Sequence, residues 1–152
     1  MTKLVFLFLI TLLSMQSSPA CNEERMQKLA HKVGFVVVAE VVEVKPAPGF
    51  WSGQLAAVQY VRYKVIESLK GKTAREIEVG HYVVKNSLTA AKDQARLSPE
   101  LFKVGNRLIL FIQLDQRNQK AEPGNLTFLS QDENCGAVLA THHSVQVVRR
   151  VL

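Results

Sequence analysis

The chain has 152 residues, 47% of them hydrophobic, and its 19 Lys and Arg against 13 Asp and Glu give a formal net charge of +6. That length suits one domain large enough to bury a core. The basic excess is moderate and scattered, densest at Lys70, Lys72 and Arg75 and again at Arg149-Arg150, the pattern of solvated strand ends and turns. For a chain that reads as exported from its residues 1–20, anionic envelope polymers or lipid headgroups come before nucleic acid as electrostatic partners.

Residues 1–20 open with Thr2 and Lys3, run apolar from Leu4 to Leu13 and end Ser18-Pro19-Ala20, with small residues flanking the proline. This is the form of a secretory signal peptide. A spanning helix needs roughly 20 apolar residues, about twice this run, so no retained anchor and no transmembrane span in the mature chain are expected. Cleavage after Ala20 makes Cys21 the amino terminus of a mature domain, residues 21–152, that is secreted or periplasmic. Cys135 is the other of the two cysteines, and two thiols in an oxidising compartment are most simply one disulfide, Cys21–Cys135. The rival reading is a lipoprotein signal that leaves a lipid-anchored envelope protein acylated on Cys21. Ser18 and Pro19 depart from the usual lipoprotein pattern, and acylation would leave Cys135 a free thiol.

The mature chain begins with a helical period. Met26, Leu29, Ala30 and Val33 fall at i, i+3, i+4 and i+7, Asn22 is a candidate N-cap, Glu23 and Glu24 occupy the first turn, and Gly34 ends the helix. Phe35–Val44 then reads as a long strand, apolar on both faces at its start and alternating at its end, stopped by Pro46 and Pro48. Residues 45–54 form a Pro/Gly loop carrying Phe50 and Trp51. A second strand, Ala56–Leu69, sets Val61, Tyr63 and Val65 against Arg62, Lys64 and Glu67, with Gly71 turning the chain. A third, Glu76–Val84, sets Ile77, Val79, His81 and Val83 against Glu76, Glu78 and Gly80, as in a sheet with one wet face.

Residues 85–103 are polar and mixed, a helix or an ordered loop; Ser98-Pro99-Glu100-Leu101 has the cap-then-proline order of a helical first turn. Arg107–Ile112 is the most apolar strand. A turn at Pro123-Gly124, a short strand Leu126–Leu129 and a closing strand Ser144–Val151 complete the series. Strands of uneven length, a flanking helix and no βαβ rhythm argue for a small antiparallel barrel or sandwich.

Few residues suggest chemistry. His142-His143 with Cys135 matches no zinc spacing, since neighbours on a strand point to opposite faces. His81 lies on an apolar face as a hydrogen-bonded core or rim histidine. Asp132-Glu133-Asn134 reads as a turn before it reads as a calcium site. Glu40, Glu43 and Asp115 would form a carboxylate site only if they converge in space. No nucleophile elbow, phosphate-cradling glycine loop or H-E-x-x-H helix is present, so no catalytic residue, metal ligand or cofactor is assigned. Two large aromatics in a loop, Phe50 and Trp51, either pack onto the barrel's own end or meet a partner. Asn125-Leu126-Thr127 is a glycosylation sequon, relevant only in a eukaryotic source.

A cysteine at the mature start, a Val-rich first strand, a second strand ending Val65-Ile66-Glu67-Ser68-Leu69-Lys70-Gly71, and the run Leu101–Phe111 together resemble the netrin-like domain, in a bacterial-type secreted form. That family includes the inhibitory domain of the tissue inhibitors of metalloproteinases. The resemblance implies a mainly β fold: a five- to six-stranded OB-like barrel with an N-terminal helix and a short helical segment before the Leu108–Ile112 strand. In those inhibitors the amine and carbonyl of the terminal cysteine chelate the protease zinc, which implies the same chemistry for Cys21. Here the family's Cys-x-Cys start is missing, for Asn22 and Glu23 follow, and the segment reads as helix where the inhibitors have an extended wedge. The expectation is a secreted or periplasmic, non-catalytic binding or interaction module for another extracellular or envelope protein, with Phe50 and Trp51 as the candidate partner-binding loop where they do not pack onto the barrel's own end. Metalloprotease inhibition through Cys21 and lipid anchoring at Cys21 are the alternatives.

Overall fold

The computed structural model describes residues 21–45, 56–84, 99–116, 127–131 and 135–152. Helix α1 (Glu23–Lys32) starts where the sequence caps it. Asn22 Oδ1 accepts the amide of Arg25 at 2.8 Å, and Glu23 and Glu24 sit at the positive end of the helix. Met26, Leu29, Ala30 and the C-cap Val33 form the buried stripe. The other end differs from the expected glycine stop: Val33 is extended, and Gly34 lies outside the left-handed region. Lys70 caps instead, donating Nζ to the carbonyls of Ala30 and His31 at 2.9 and 3.0 Å. Gly34 answers to a tertiary demand. Its amide donates to Gln113 Oε1 at 2.6 Å, and a Cβ there would crowd that oxygen unless the Gln113 side chain swung aside.

Strands β1 (Phe35–Val44), β2 (Ala56–Lys70), β3 (Glu76–Val84), β4 (Arg107–Leu114) and β5 (Thr127–Ser130) close in the order β1-β2-β3-β5-β4-β1. This is the expected OB-like barrel. A short strand β6 (Ala137–Leu139) pairs with β4 at Leu108–Leu110, and β5 pairs with it at Ile112–Leu114. Pairing is antiparallel except between β3 and β5, which run parallel. The parallel seam is forced by counting, because five strands in a ring cannot alternate direction all the way round. Register shifts in β1 between Val36 and Val37, Val38 and Ala39, and Val41 and Glu43 bend it so that it can pair with both β2 and β4. A 3₁₀ turn, Pro99–Phe102, precedes β4 as the cap-proline signal predicts.

The core has two layers, and they account for the two-faced start of β1. Val37, Ala39 and Val41 point into the barrel with Leu108, Leu110 and Ile112 of β4. Val36 and Val38 point outward with Ile109 and Phe111, where the helices cover them. Past Val41 that cover ends, and Val42, Glu43 and Val44 are exposed. Gly71 joins β2 to β3 with φ at +72°, and a Cβ there would stand 2.6 Å from the Phe35 ring and 2.8 Å from the Gly34 carbonyl. Gly71→Ala is therefore expected to cost about 2–3 kcal/mol, read as a lower urea midpoint at unchanged m-value.

The closing strand expected over Ser144–Val151 is instead helix α2 (His142–Arg149). Thr141 Oγ1 accepts the Ser144 amide at 3.1 Å, and Ser144 Oγ accepts the Thr141 amide at 2.9 Å, a reciprocal capping box. Ser144, Val147 and Val148 are buried, and Val151 packs beside them, a helical stripe hidden among β-branched residues. The weak strand preference of valine, a few tenths of a kcal/mol per residue, yields to burying that stripe, at roughly 1.5–3 kcal/mol for each full side chain. Arg149 fastens the helix to β2 by donating Nη2 to both Glu67 carboxylate oxygens at 2.6 and 2.7 Å. Thr141→Ala is expected to cost about 1 kcal/mol and to speed amide exchange in α2 while leaving the barrel strands protected.

Candidate functional site

Three places could do work: the helix clamp, the polar group inside the barrel, and the barrel's open end. At the clamp, Cys21 and Cys135 form the expected disulfide, with Cα atoms 5.1 Å apart, inside the usual span for such bonds. Cys135 is fully buried and Cys21 packs at the edge of the layer between helices and barrel. The bond ties the start of α1 to the segment entering β6. Close by, His143 Nε2 and Glu23 Oε1 meet at 2.5 Å across the exposed side of the two helices. The adjacent histidines thus lie in the first turn of a helix, not on a strand, and Cys135 is committed to sulfur. Helix α1 begins at Glu23, so Cys21 and Asn22 alone precede it in the described chain.

Inside the barrel His81 is fully buried, as its place on the apolar face predicts. The Tyr63 hydroxyl is hydrogen-bonded to its Nε2 at 2.8 Å, and the Phe102 ring lies over the imidazole with centroids 4.5 Å apart. Nδ1 is buried without a hydrogen-bond partner. Loss of water around the charged form pushes His81 down to about 3, so the ring is neutral across the physiological range. The same burial holds the Tyr63 phenol well above its ordinary 10. Neither group touches solvent, which suits a structural pair that fixes Phe102 as a plug in one end of the barrel.

The opposite end is closed less completely. Phe35 and Phe128 meet edge to face at 5.3 Å, and beside them is a recess of about 100 Å³. Ile77 and Leu114 extend the apolar wall, and Lys72, Thr73 and Ala74 of the β2–β3 connection line the mouth with Glu76, the first residue of β3. Thr73 Oγ1 is buried with no hydrogen-bond partner. Glu76 already has a partner in Arg62 Nη2 at 3.2 Å, and Arg62 also donates to Glu43 at 2.8 Å. These two carboxylates raise the guanidinium above its ordinary value. The sequence holds no signal for this recess, because its walls come from four separate strands and a turn.

The other candidate residues separate. Phe50, Trp51, Asn125 and Asp132-Glu133-Asn134 lie outside the described residues. Glu40 pairs with Arg107 at the start of β4 at 3.2 Å, Glu43 pairs with Arg62, and Asp115 follows the far end of β4. Eight residues of extended chain, roughly 25 Å, divide Glu40 from Asp115, so the three carboxylates do not converge. The basic run at Lys70, Lys72 and Arg75 also divides, since Lys70 caps α1. Among the described residues no three His, Cys, Asp or Glu side chains gather as a metal site, and no helix is long and apolar enough to cross a membrane. No protein-family model and no curated protein matches the chain.

Proposed function

We propose that this protein is an exported, non-catalytic interaction module of netrin-like type, with residues 1–20 as its signal peptide and the loop bearing Phe50 and Trp51 as its contact with another extracellular or envelope protein. One observation carries the reading: a barrel filled by its own side chains and stapled through Cys21 and Cys135. Such a bond persists in oxidising compartments. A filled interior leaves the ends and loops for recognition, and loops between early strands are where OB-type barrels commonly bind. The start of α1 directly after Asn22 speaks against a Cys21 wedge entering a protease cleft, and the sulfur bond speaks against acylation of the same residue.

Intact-mass measurement of the exported protein tests the compartment. Loss of residues 1–20 with two hydrogens fewer than the dithiol supports the proposal, whereas an acyl mass addition or two alkylatable thiols ends it. Trp51→Ala tests the contact. Crosslinking on intact producing cells should lose the partner adduct seen with the parent chain, and an undiminished adduct would remove the loop from consideration.

A further inference from the structure

We infer that the recess at the Phe35–Phe128 end of the barrel is a binding site for a short aliphatic carboxylate. A cavity of about 150 Å³ holds benzene, so this recess of about 100 Å³ has room for roughly four carbons. Its floor is made for them: Phe35, Ile77 and Phe128 present only carbon, and Leu114, 37% exposed, continues the apolar surface to the rim. Covering that leucine is favourable for any ligand that fits.

The charge at the mouth selects the head group. Glu76, the one acid there, is answered by Arg62. Lys72 has no ion-pair partner among the described residues, and Arg75, three residues on in the same connection, has none either. The local balance is therefore cationic. Thr73, which lines the recess, supplies a buried hydroxyl with no hydrogen-bond partner among the described residues. A carboxylate seated between Lys72 and Thr73 accepts from both, while its branched or straight tail lies on the two phenyl rings. This site stands apart from the proposed aromatic contact, because residues 46–55 join the opposite end of β2.

The probe is isovalerate, titrated into the oxidised full mature protein and followed by methyl and amide NMR. The expected result is a saturable shift at Ile77, Leu114, Thr73 and Ala74 with roughly millimolar affinity, as a ligand of so few atoms allows. Isovaleramide, equal in shape and uncharged, should bind at least about tenfold more weakly, and Lys72→Gln should weaken isovalerate to a similar degree, as loss of a charge-assisted hydrogen bond implies. Thr73→Val, which keeps the shape, should weaken it severalfold. Both positions are at the surface connection, so unchanged spectra elsewhere certify the fold. Trp51→Ala should leave isovalerate binding intact, which separates failure of this site from failure of the interaction loop. The inference is overturned if no shift saturates by about 50 mM, or if acid and amide bind alike, or if Lys72→Gln binds as well as the parent.

Discussion

Replacing Cys21 and Cys135 together by alanine is expected to lower the free energy of unfolding by about 5 kcal/mol, with a fall in Tm of about 20 °C. The bond closes a loop spanning 114 positions, so its main action is to restrict the unfolded chain. The chain-entropy relation gives nearly its largest effect for a loop of this length. Cys135 is fully buried among Val36, Ile109 and Phe111, and truncating its sulfur adds a small packing loss. Urea unfolding of the oxidised parent and the double variant measures the difference. The variant should show a lower midpoint and a steeper dependence on urea, since an uncrosslinked unfolded chain exposes more surface. Amide exchange should quicken most in α1 and α2, which the bond holds on the barrel, and least in β4. Coincident unfolding curves would mean that packing alone seats the helices.

Among the described residues, His81 is the buried group through which acid should destabilise the protein most. His81 has a folded-state pKa of about 3 against an ordinary 6.5, so between these values the unfolded chain takes up a proton that the folded chain refuses. Stability from this group is complete above pH 6.5 and is lost as pH falls towards 3, by roughly 5 kcal/mol over the window. His81→Gln offers the Tyr63 hydroxyl both an amide donor and an amide acceptor in place of Nε2 and removes the titration. Its stability at neutral pH should be somewhat lower, and its loss between pH 6.5 and 4 much shallower than the parent's. An equally steep acid loss in the variant would place the titrating group elsewhere. Tyr63 sets an alkaline limit by the mirrored argument: its folded pKa lies well above 10, so the unfolded chain ionises first and stability falls as pH rises past 10.

Buried His81 and the stapled helices also divide the labour of the fold. One polar pair, Tyr63 and His81, holds Phe102 in one end of the barrel, and the sulfur bond holds two short helices against its outer wall. The wet face of β1, β2 and β3 carries paired charges: Glu43 with Arg62, Arg62 with Glu76, and Lys45 with Glu78 at 3.4 Å. Exposed pairs of this kind contribute little each, and among the described residues they leave Lys72 and Arg75 as cations without acidic partners.

Much was legible before any coordinates, because the relevant forces act between near neighbours along the chain. The bounds of β1 and β3 follow from β-branched runs and their punctuation, Asn22 follows from its place before an apolar stripe, and the cysteine pair follows from there being two and no more. Helix α2 was not legible, because its valines prefer strand locally and only the uncovered wall of β4 and α1 rewards the helical stripe. The capping of α1 by Lys70, the parallel β3–β5 seam and the recess at Phe35 and Phe128 were equally invisible. Each depends on closure of the ring, which brings together residues that share no local pattern. Sequence thus determined the barrel's strands and its staple through periodicity and composition; tertiary structure alone decided what covers the barrel and where it stays open, since both are set by contacts between segments remote in the chain.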